Sequence, residues 1–388
     1  MALDTKNPKA GMDIAKPAVS RGAVQVYAPG QHPDLPPPAS TVGAVGWLRS
    51  NLFSSPFNVF LTFVALYLIY ITVPPVIQWA FIDADWIGDK REDCSREGAC
   101  WVFIRVWFKQ LMYGRYPDAE LWRINTAYVI LVVAFIPLFV PRFPWKHWVG
   151  AFLLVGYPII AYVLFVGDTM GLEWVETPLW GGLFLTLVIA IVGIVSSLPV
   201  GIVLALGRRS DMPIVRAICV AFIELWRGVP LITVLFMASV MFPLFMPEGM
   251  VFDKLLRALI GVALFSSAYM AEVVRGGLQA IPRGQYEAAQ ALGLSFWKMM
   301  GLIVLPQALK LVIPGIVNTF IGLFKDTTLV SIIGLFDLLG MVQLAGTNPH
   351  WLGFAIEGYV FAGFGFWIFC FGMSRYSQHL EKKLHTGH

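Results

Sequence analysis

Apolar runs near residues 57–79, 124–141, 148–167, 180–206, 229–246, 255–275, 309–331 and 352–374 constrain this chain more than anything else in it. Several reach the roughly 20 residues that a helix rising about 1.5 Å per residue needs to cross about 30 Å of hydrocarbon, whereas core helices of soluble proteins are shorter and amphipathic. The composition, 57% hydrophobic and 13% charged over 388 residues, makes lipid the solvent. The expected fold is all-α, a polytopic membrane protein with about eight transmembrane helices. A formal charge of +4, with no basic patch interleaved with aromatics, excludes nucleic acid as a partner.

Residues 1–55 are polar and Pro-rich, with QHPDLPPPAS at 31–40, and no apolar stretch of signal-peptide type lies near the start. The first span is therefore expected to insert with this tail inside, and eight crossings return the C-terminus to the same side. The Lys and Arg distribution makes that side the cytoplasm. The connections assigned to it hold Lys6, Lys9, Lys16, Arg21 and Arg49, then Arg142 and Lys146, then Arg208, Arg209, Arg216 and Arg227. Arg275, Arg283, Lys298, Lys310, Arg375, Lys382 and Lys383 complete the set. Outside the first loop, the opposite side has only Lys254 and Arg257. The first loop, 80–123, runs against the rule with Lys90, Arg91, Arg96, Arg105, Lys109, Arg115 and Arg123; great length weakens the rule without removing the conflict.

Cys94 and Cys100 lie in that loop, while Cys219 and Cys370 fall in apolar or interfacial helices as packing residues. A Cys94–Cys100 disulfide requires an oxidising compartment, and spacing alone leaves bridge and free thiols equally open. No His or further Cys stands near to complete a tetrahedral metal set. Within the loop, RVWFKQLMYGRYP reads as an amphipathic helix resting on the membrane surface. In the span at 180–206, Gly193, Ser197, Gly201 and Ala205 recur every four residues. Small residues at that spacing let another helix approach closely, and packing within the chain is preferred over a subunit interface.

A polar, helix-forming loop lies between spans at Glu287–Pro306, EAAQALGLSFWKMMGLIVLP. Ala288, Ala289 and Ala291 are small enough for close approach, Gly293 can take a positive-φ turn, and Pro306 favours a helix start. Glu287-Ala288-Ala289, Gly293, Ile303, Leu305 and Pro306 match the fixed positions of the EAA loop of ABC-importer permeases. Arg227-Gly228-Val229-Pro230, the run Ala268 to Gly277, Gly284-Gln285-Tyr286-Glu287-Ala288-Ala289, Leu305-Pro306-Gln307-Ala308 and Lys325-Asp326-Thr327-Thr328-Leu329 follow in the order seen in polar amino-acid ABC permeases. The resemblance covers about 179–388, and with the added spans and cysteine-bearing insertion the whole chain resembles the M-type permease subunit of bacterial general L-amino-acid ABC transporters. Thr328 stands where Ser is commoner in that family.

The resemblance implies a division into a cytoplasmic tail, 1–55, a three-span extension, 56–170, with a periplasmic insertion, 80–123, and a five-helix permease core, 171–388, with a coupling loop, 276–308. It implies a bacterial inner-membrane importer of polar L-amino acids working by alternating access. The partners it implies are an ABC ATPase dimer, a second permease that is a related but distinct chain, a periplasmic amino-acid-binding protein and the lipid bilayer. Gln285, Glu287, Ala288, Ala289, Gly293, Leu305 and Pro306 are then the ATPase-coupling residues. The chain has no G-x-x-x-x-G-K-[ST] loop, so ATP and Mg belong to the partner ATPase and no cofactor is expected here. No catalytic residue and no metal site is expected, because His32, His147, His350, His379, His385 and His388 lack a companion nucleophile or ligand spacing.

Counted from Leu311, Lys325 lies about 20 Å along a helix, well into the membrane. An ionisable pair there is costly unless it faces protein or water, which makes Lys325-Asp326 a pathway candidate with Asn318, Thr327 and Thr328. Together these offer donors for a carboxylate and acceptors for an ammonium. Mutual neutralisation of Lys325 and Asp326 is the equal alternative. An ion-coupled secondary transporter of small polar solutes using the same pair is the competing function. It leaves the Glu287–Pro306 loop without a role, and no internal repeat supports it. Glu224, Arg227, Glu272 and Arg275, near the inner membrane edge, are candidates for gating or for fixing helix ends.

Overall fold

A computed structural model describes residues 43–384 apart from Arg96, Pro141, Met170, Glu248, Met250 and Val251. The tail over 1–42 and residues 385–388, with the expectations made for them, lie outside the described residues. Regular structure among the described residues is helical, with isolated β-bridges only. In chain order the helices are α1 Gly43–Asn51, α2 Pro56–Ile77, α3 Val102–Tyr113, α4 Leu121–Phe139, α5 Lys146–Ala151, α6 Tyr157–Val166, α7 Gly182–Arg208 and α8 Pro213–Gly228. There follow α9 Leu231–Phe236, α10 Lys254–Ala280, α11 Arg283–Ala291, α12 Phe296–Met299, α13 Leu305–Leu311, α14 Ile313–Asp326, α15 Leu338–Gly346 and α16 Ala355–Leu384.

Among the described residues seven helical stretches are long and apolar enough to cross a membrane, or eight if a bent pair counts as one span. That pair is α8 and the stretch Leu231–Phe245, which meet at 101°. The bend has a local cause. Pro230 forces the preceding residue out of the helical region, and Val229 is extended at φ −114° and ψ 134°. The apolar run expected at 229–246 is therefore the second arm of an elbow whose first arm is α8, a helix outside the expected spans.

Among the described residues, those up to Val76 and those from Ile77 onward form separate compact units. In the first, the Thr62 hydroxyl donates to the Leu52 carbonyl at 2.9 Å, tying α2 to the segment that follows α1. In the second, Tyr116, Ile124, Tyr157 and Phe165 share one apolar core with Phe184 and Ile189 of α7, Val234 of α9 and Val262 of α10. The second and third spans thus pack into the same body as the helices after Leu179. A cation is built into their junction: Arg123, 1% exposed, pairs with Glu120 and donates to the Glu173 carbonyl at 2.7 Å. These contacts supply the compensation that a buried charge requires.

The stripe Gly193, Ser197, Gly201 and Ala205 is buried on α7. A Cβ on Gly193 would come within 2.8 Å of Leu323, and one on Gly201 within 2.8 Å of Met270, so the small residues admit α14 and α10 from the same chain. One expectation is corrected. The RVWFKQLMYGRYP segment does form α3, but Val102, Phe103, Ile104 and Leu111 are buried against Leu338, Val342, Trp351 and Phe354. One side of the helix is covered by protein, while Val106 and Phe108 within the segment stay exposed, at 42% and 49%. Cys94 and Cys100 are joined by a disulfide just before α3, and the Cys100 amide donates to the buried Glu357 carboxylate at 3.0 Å.

Candidate functional site: coupling loop, charge cluster and the open face of α14

The segment after α10 turns through Pro282 into α11, which carries Gln285, Glu287, Ala288 and Ala289. Ala289 is 1% exposed and seats the helix on Met299, Val304 and Ala308, while Glu287 and Ala288 face outward. Gly293 has φ +70°, a conformation that costs any β-branched residue strain, and it turns the chain into α12. Leu305 and Pro306 open α13 after a π-helical stretch, Met300–Val304. Gln307 donates to the Gln285 side chain at 3.2 Å and so ties α13 to α11. Leu292 and Trp297 are 76% and 74% exposed beside these residues. Sequence reasoning passed them over, since an apolar residue in a loop is informative only once its exposure is known.

Next to this loop the ends of α7, α8 and α10 meet in a charge cluster. The Glu272 carboxylate accepts from Arg208 at 2.6 Å and from Arg275 at 2.7 and 2.9 Å, and Arg227 stands 3.8 Å away. Arg208 also pairs with Glu224 at 3.0 Å. The structure thus brings Glu224, Arg227, Glu272 and Arg275 together, and it adds Arg208 as the residue that joins the two carboxylates. Arg208 was missed because its partners lie 16 and 64 residues away, beyond the reach of any local spacing rule.

On α14 the polar residues are arranged differently. Asn318 and Lys325 are exposed and two turns apart on one face, and a Cβ at Gly322 between them would meet nothing within 4 Å. Among the described residues neither Lys325 nor Asp326 forms a close ion pair, although the two charges are neighbours in sequence and feel one another. Thr327 is buried and donates to the Phe324 carbonyl at 2.8 Å, and Thr328 donates to the Lys325 carbonyl at 2.9 Å. Both hydroxyl protons are thereby engaged by their own helix. A cavity of about 560 Å³ beside the α8–α9 elbow is lined by Trp226, Val234, Met241, Phe242 and Leu264. Its one cation, Arg257, is bonded to the Ala238 and Ser239 carbonyls at 3.1 and 2.5 Å, so the cavity presents little that would hold a zwitterion.

Residues 197–386 match the family described as binding-protein-dependent transport system inner membrane component. The chain is 58% identical over 357 residues to the inner membrane amino-acid ABC transporter permease protein YhdY of Escherichia coli K12, covering 92% of this chain and 97% of that one. It is 40% identical over 419 residues to BztC of Rhodobacter capsulatus, the glutamate/glutamine/aspartate/asparagine transport system permease, covering 91% and 96%. A solved structure described as an amino acid ABC transporter with histidines has 27% identity and a TM-score of 0.46, covering 52% of this chain and 92% of that one. The two permease relatives favour the ATP-driven reading over the ion-coupled one, and membership implies ATPase, permease and binding-protein partners. The chain belongs to the amino-acid ABC transporter permeases, as a multi-pass inner-membrane transport subunit that is not itself an enzyme.

Proposed function

We propose that this subunit passes polar L-amino acids into the cytoplasm along the open face of α14. The observation that carries the proposal is Lys325, exposed on the single chain and without an ion pair among the described residues. Left against lipid, such a residue costs ~2.5–3.5 kcal/mol on insertion scales, so this face is expected to meet protein or water. A second permease, a related but distinct chain, closes it. Lys325 then receives a substrate carboxylate, while Asp326 and the Asn318 carbonyl accept from its ammonium. Thr327 and Thr328 serve mainly to shape the helix end. The substrates printed in the name of BztC are acidic and amide amino acids, which suit a site built around one cation.

The remaining assignments follow. Both termini face the cytoplasm, so the lobe before α3 lies in the periplasm, where its disulfide is maintained and where a binding protein delivers substrate. The ATPase dimer, which binds ATP and Mg, docks on the loop that presents Glu287, Ala288, Leu292 and Trp297. The tail, three-span extension and permease core keep the bounds 1–55, 56–170 and 171–388 as functional segments. The test is uptake into proteoliposomes holding this chain with its co-purified ATPase, second permease and binding protein. ATP-dependent accumulation of acidic or amide amino acids is expected; uptake that persists without ATP and follows an ion gradient would contradict the proposal.

A further inference from the structure

At the end of α7, two adjacent arginines reach in different directions. Arg209 lies over the ring of Tyr286 on α11, with its guanidinium carbon 5.6 Å from the ring centre. Its Nη1 donates to the Tyr286 hydroxyl and to the Leu278 carbonyl, both at 3.1 Å. The Tyr286 hydroxyl in turn donates to Leu278 at 3.0 Å. Leu278 belongs to the last turn of α10, where carbonyls lack intrahelical partners. Arg208, one peptide bond away, enters the Glu272 cluster and also holds Glu224 on α8.

We infer that Tyr286, Arg209 and Arg208 form a relay that carries movement of the ATPase-docking helix α11 into the Glu272 cluster and from there to the α8–α9 elbow. The inference rests on reading the α11 loop as the docking element. Tyr286 immediately precedes Glu287, so a shift of α11 acts directly on the ring and hydroxyl that hold Arg209. Arg208 and Arg209 share the α7 terminus and cannot move independently by more than side-chain rotation allows. In the cluster three guanidiniums face two carboxylates, Glu272 and Glu224, so one arginine is in excess. Arg227, at 3.8 Å from Glu272, makes the longest ion pair of the cluster, lies over the Tyr269 ring at 5.8 Å and sits directly before the bend. Withdrawal of Arg208 from Glu272, while it keeps Glu224, lets Arg227 close on Glu272, which exchanges one arrangement of charges for another without leaving either carboxylate unpaired. Two discrete arrangements of one cluster are what transmission between distant sites requires.

The test uses the assembled complex in nanodiscs, with two mild replacements, Tyr286→Phe and Arg209→Lys. The first keeps the ring and removes the hydroxyl; the second keeps the charge and removes the planar fork. The readouts are assembly, thermal stability, basal ATPase rate, and the ratio of ATPase rate with loaded binding protein to the basal rate. The expected result is normal assembly and stability with that ratio lowered about fivefold or more in each variant. The double variant should be no worse than the weaker single one, since both break one chain of contacts. An unchanged ratio in both variants, or multiplying effects in the double, overturns the relay. Failure of both to assemble does so too, because it would make the contacts purely structural. Cross-linking of Leu292→Cys to the ATPase reports the docking reading separately: no cross-link in a transporting complex sinks that reading, whereas a cross-link with an unchanged ratio sinks the relay alone.

Discussion

Around Glu272, three arginines and two carboxylates find partners within one chain, whereas on α14 Lys325 stays exposed without an ion pair among the described residues. The first arrangement finds its partners inside the chain, so removing the shared carboxylate Glu272 leaves arginines facing one another and harms the fold. On the proposed pathway reading the second is completed by a ligand or a second permease, so removing Lys325 should leave the fold intact and harm passage. Charge in a membrane bundle therefore separates into groups that hold helices and groups that wait for a ligand, and the presence of an intrachain partner distinguishes them.

The comparison is put under most strain at Glu272. Glu272→Gln leaves Arg208, Arg227 and Arg275 facing one another, and should destabilise the complex by about 2–3 kcal/mol, below the roughly 3–5 of a fully buried pair because the site is partly open. Thermal unfolding in detergent reads this; an unchanged midpoint would show that the cluster holds nothing. Next comes the lobe before α3. Cys94→Ser opens a short disulfide loop and should cost the lobe about 2 kcal/mol, seen as faster proteolysis there, with substrate preference unchanged. If the lobe is periplasmic, an impermeant thiol reagent added after reduction should label Cys94 or Cys100 in intact spheroplasts. Labelling only after permeabilisation would reverse the orientation.

Gly293→Val should insert normally and lose about tenfold or more of uptake, because a β-branched residue resists the positive φ between α11 and α12. Normal ATP-dependent uptake at normal expression would contradict this. The smallest expected effect is at Thr328. Its hydroxyl already bonds to the Lys325 carbonyl, so Thr328→Val should leave uptake within about twofold, in keeping with the modest net worth of one such bond. A large loss would return Thr328 to the substrate's contacts.

Much of this was legible in the sequence, for stated physical reasons. Hydrocarbon thickness fixes helix length, so the spans could be read from apolar runs, with α16 continuing past the run to Leu384 because its last turns need not be apolar. Gly293 carried its turn in its residue type. The elbow escaped because α8 is amphipathic, with Pro213 at its start and charged Arg216, Glu224 and Arg227 along it, too polar to count as a span. The burial of α3 escaped for a related reason: an apolar face signals that something covers it without saying whether that is lipid or α15. Arg208, Arg209 and Tyr286 meet across separations of up to 77 residues, and only packing reveals such meetings.

The most direct test of the central claim replaces both ions of α14 together, Lys325→Met with Asp326→Leu, so that neither charge is left without the other. Uptake of acidic, neutral and basic amino acids is compared between the reconstituted wild-type complex and the double variant. The account predicts normal assembly and ATPase binding with uptake lost or its amino-acid preference changed. An unchanged rate and substrate profile would contradict it and remove Lys325 and Asp326 from the pathway.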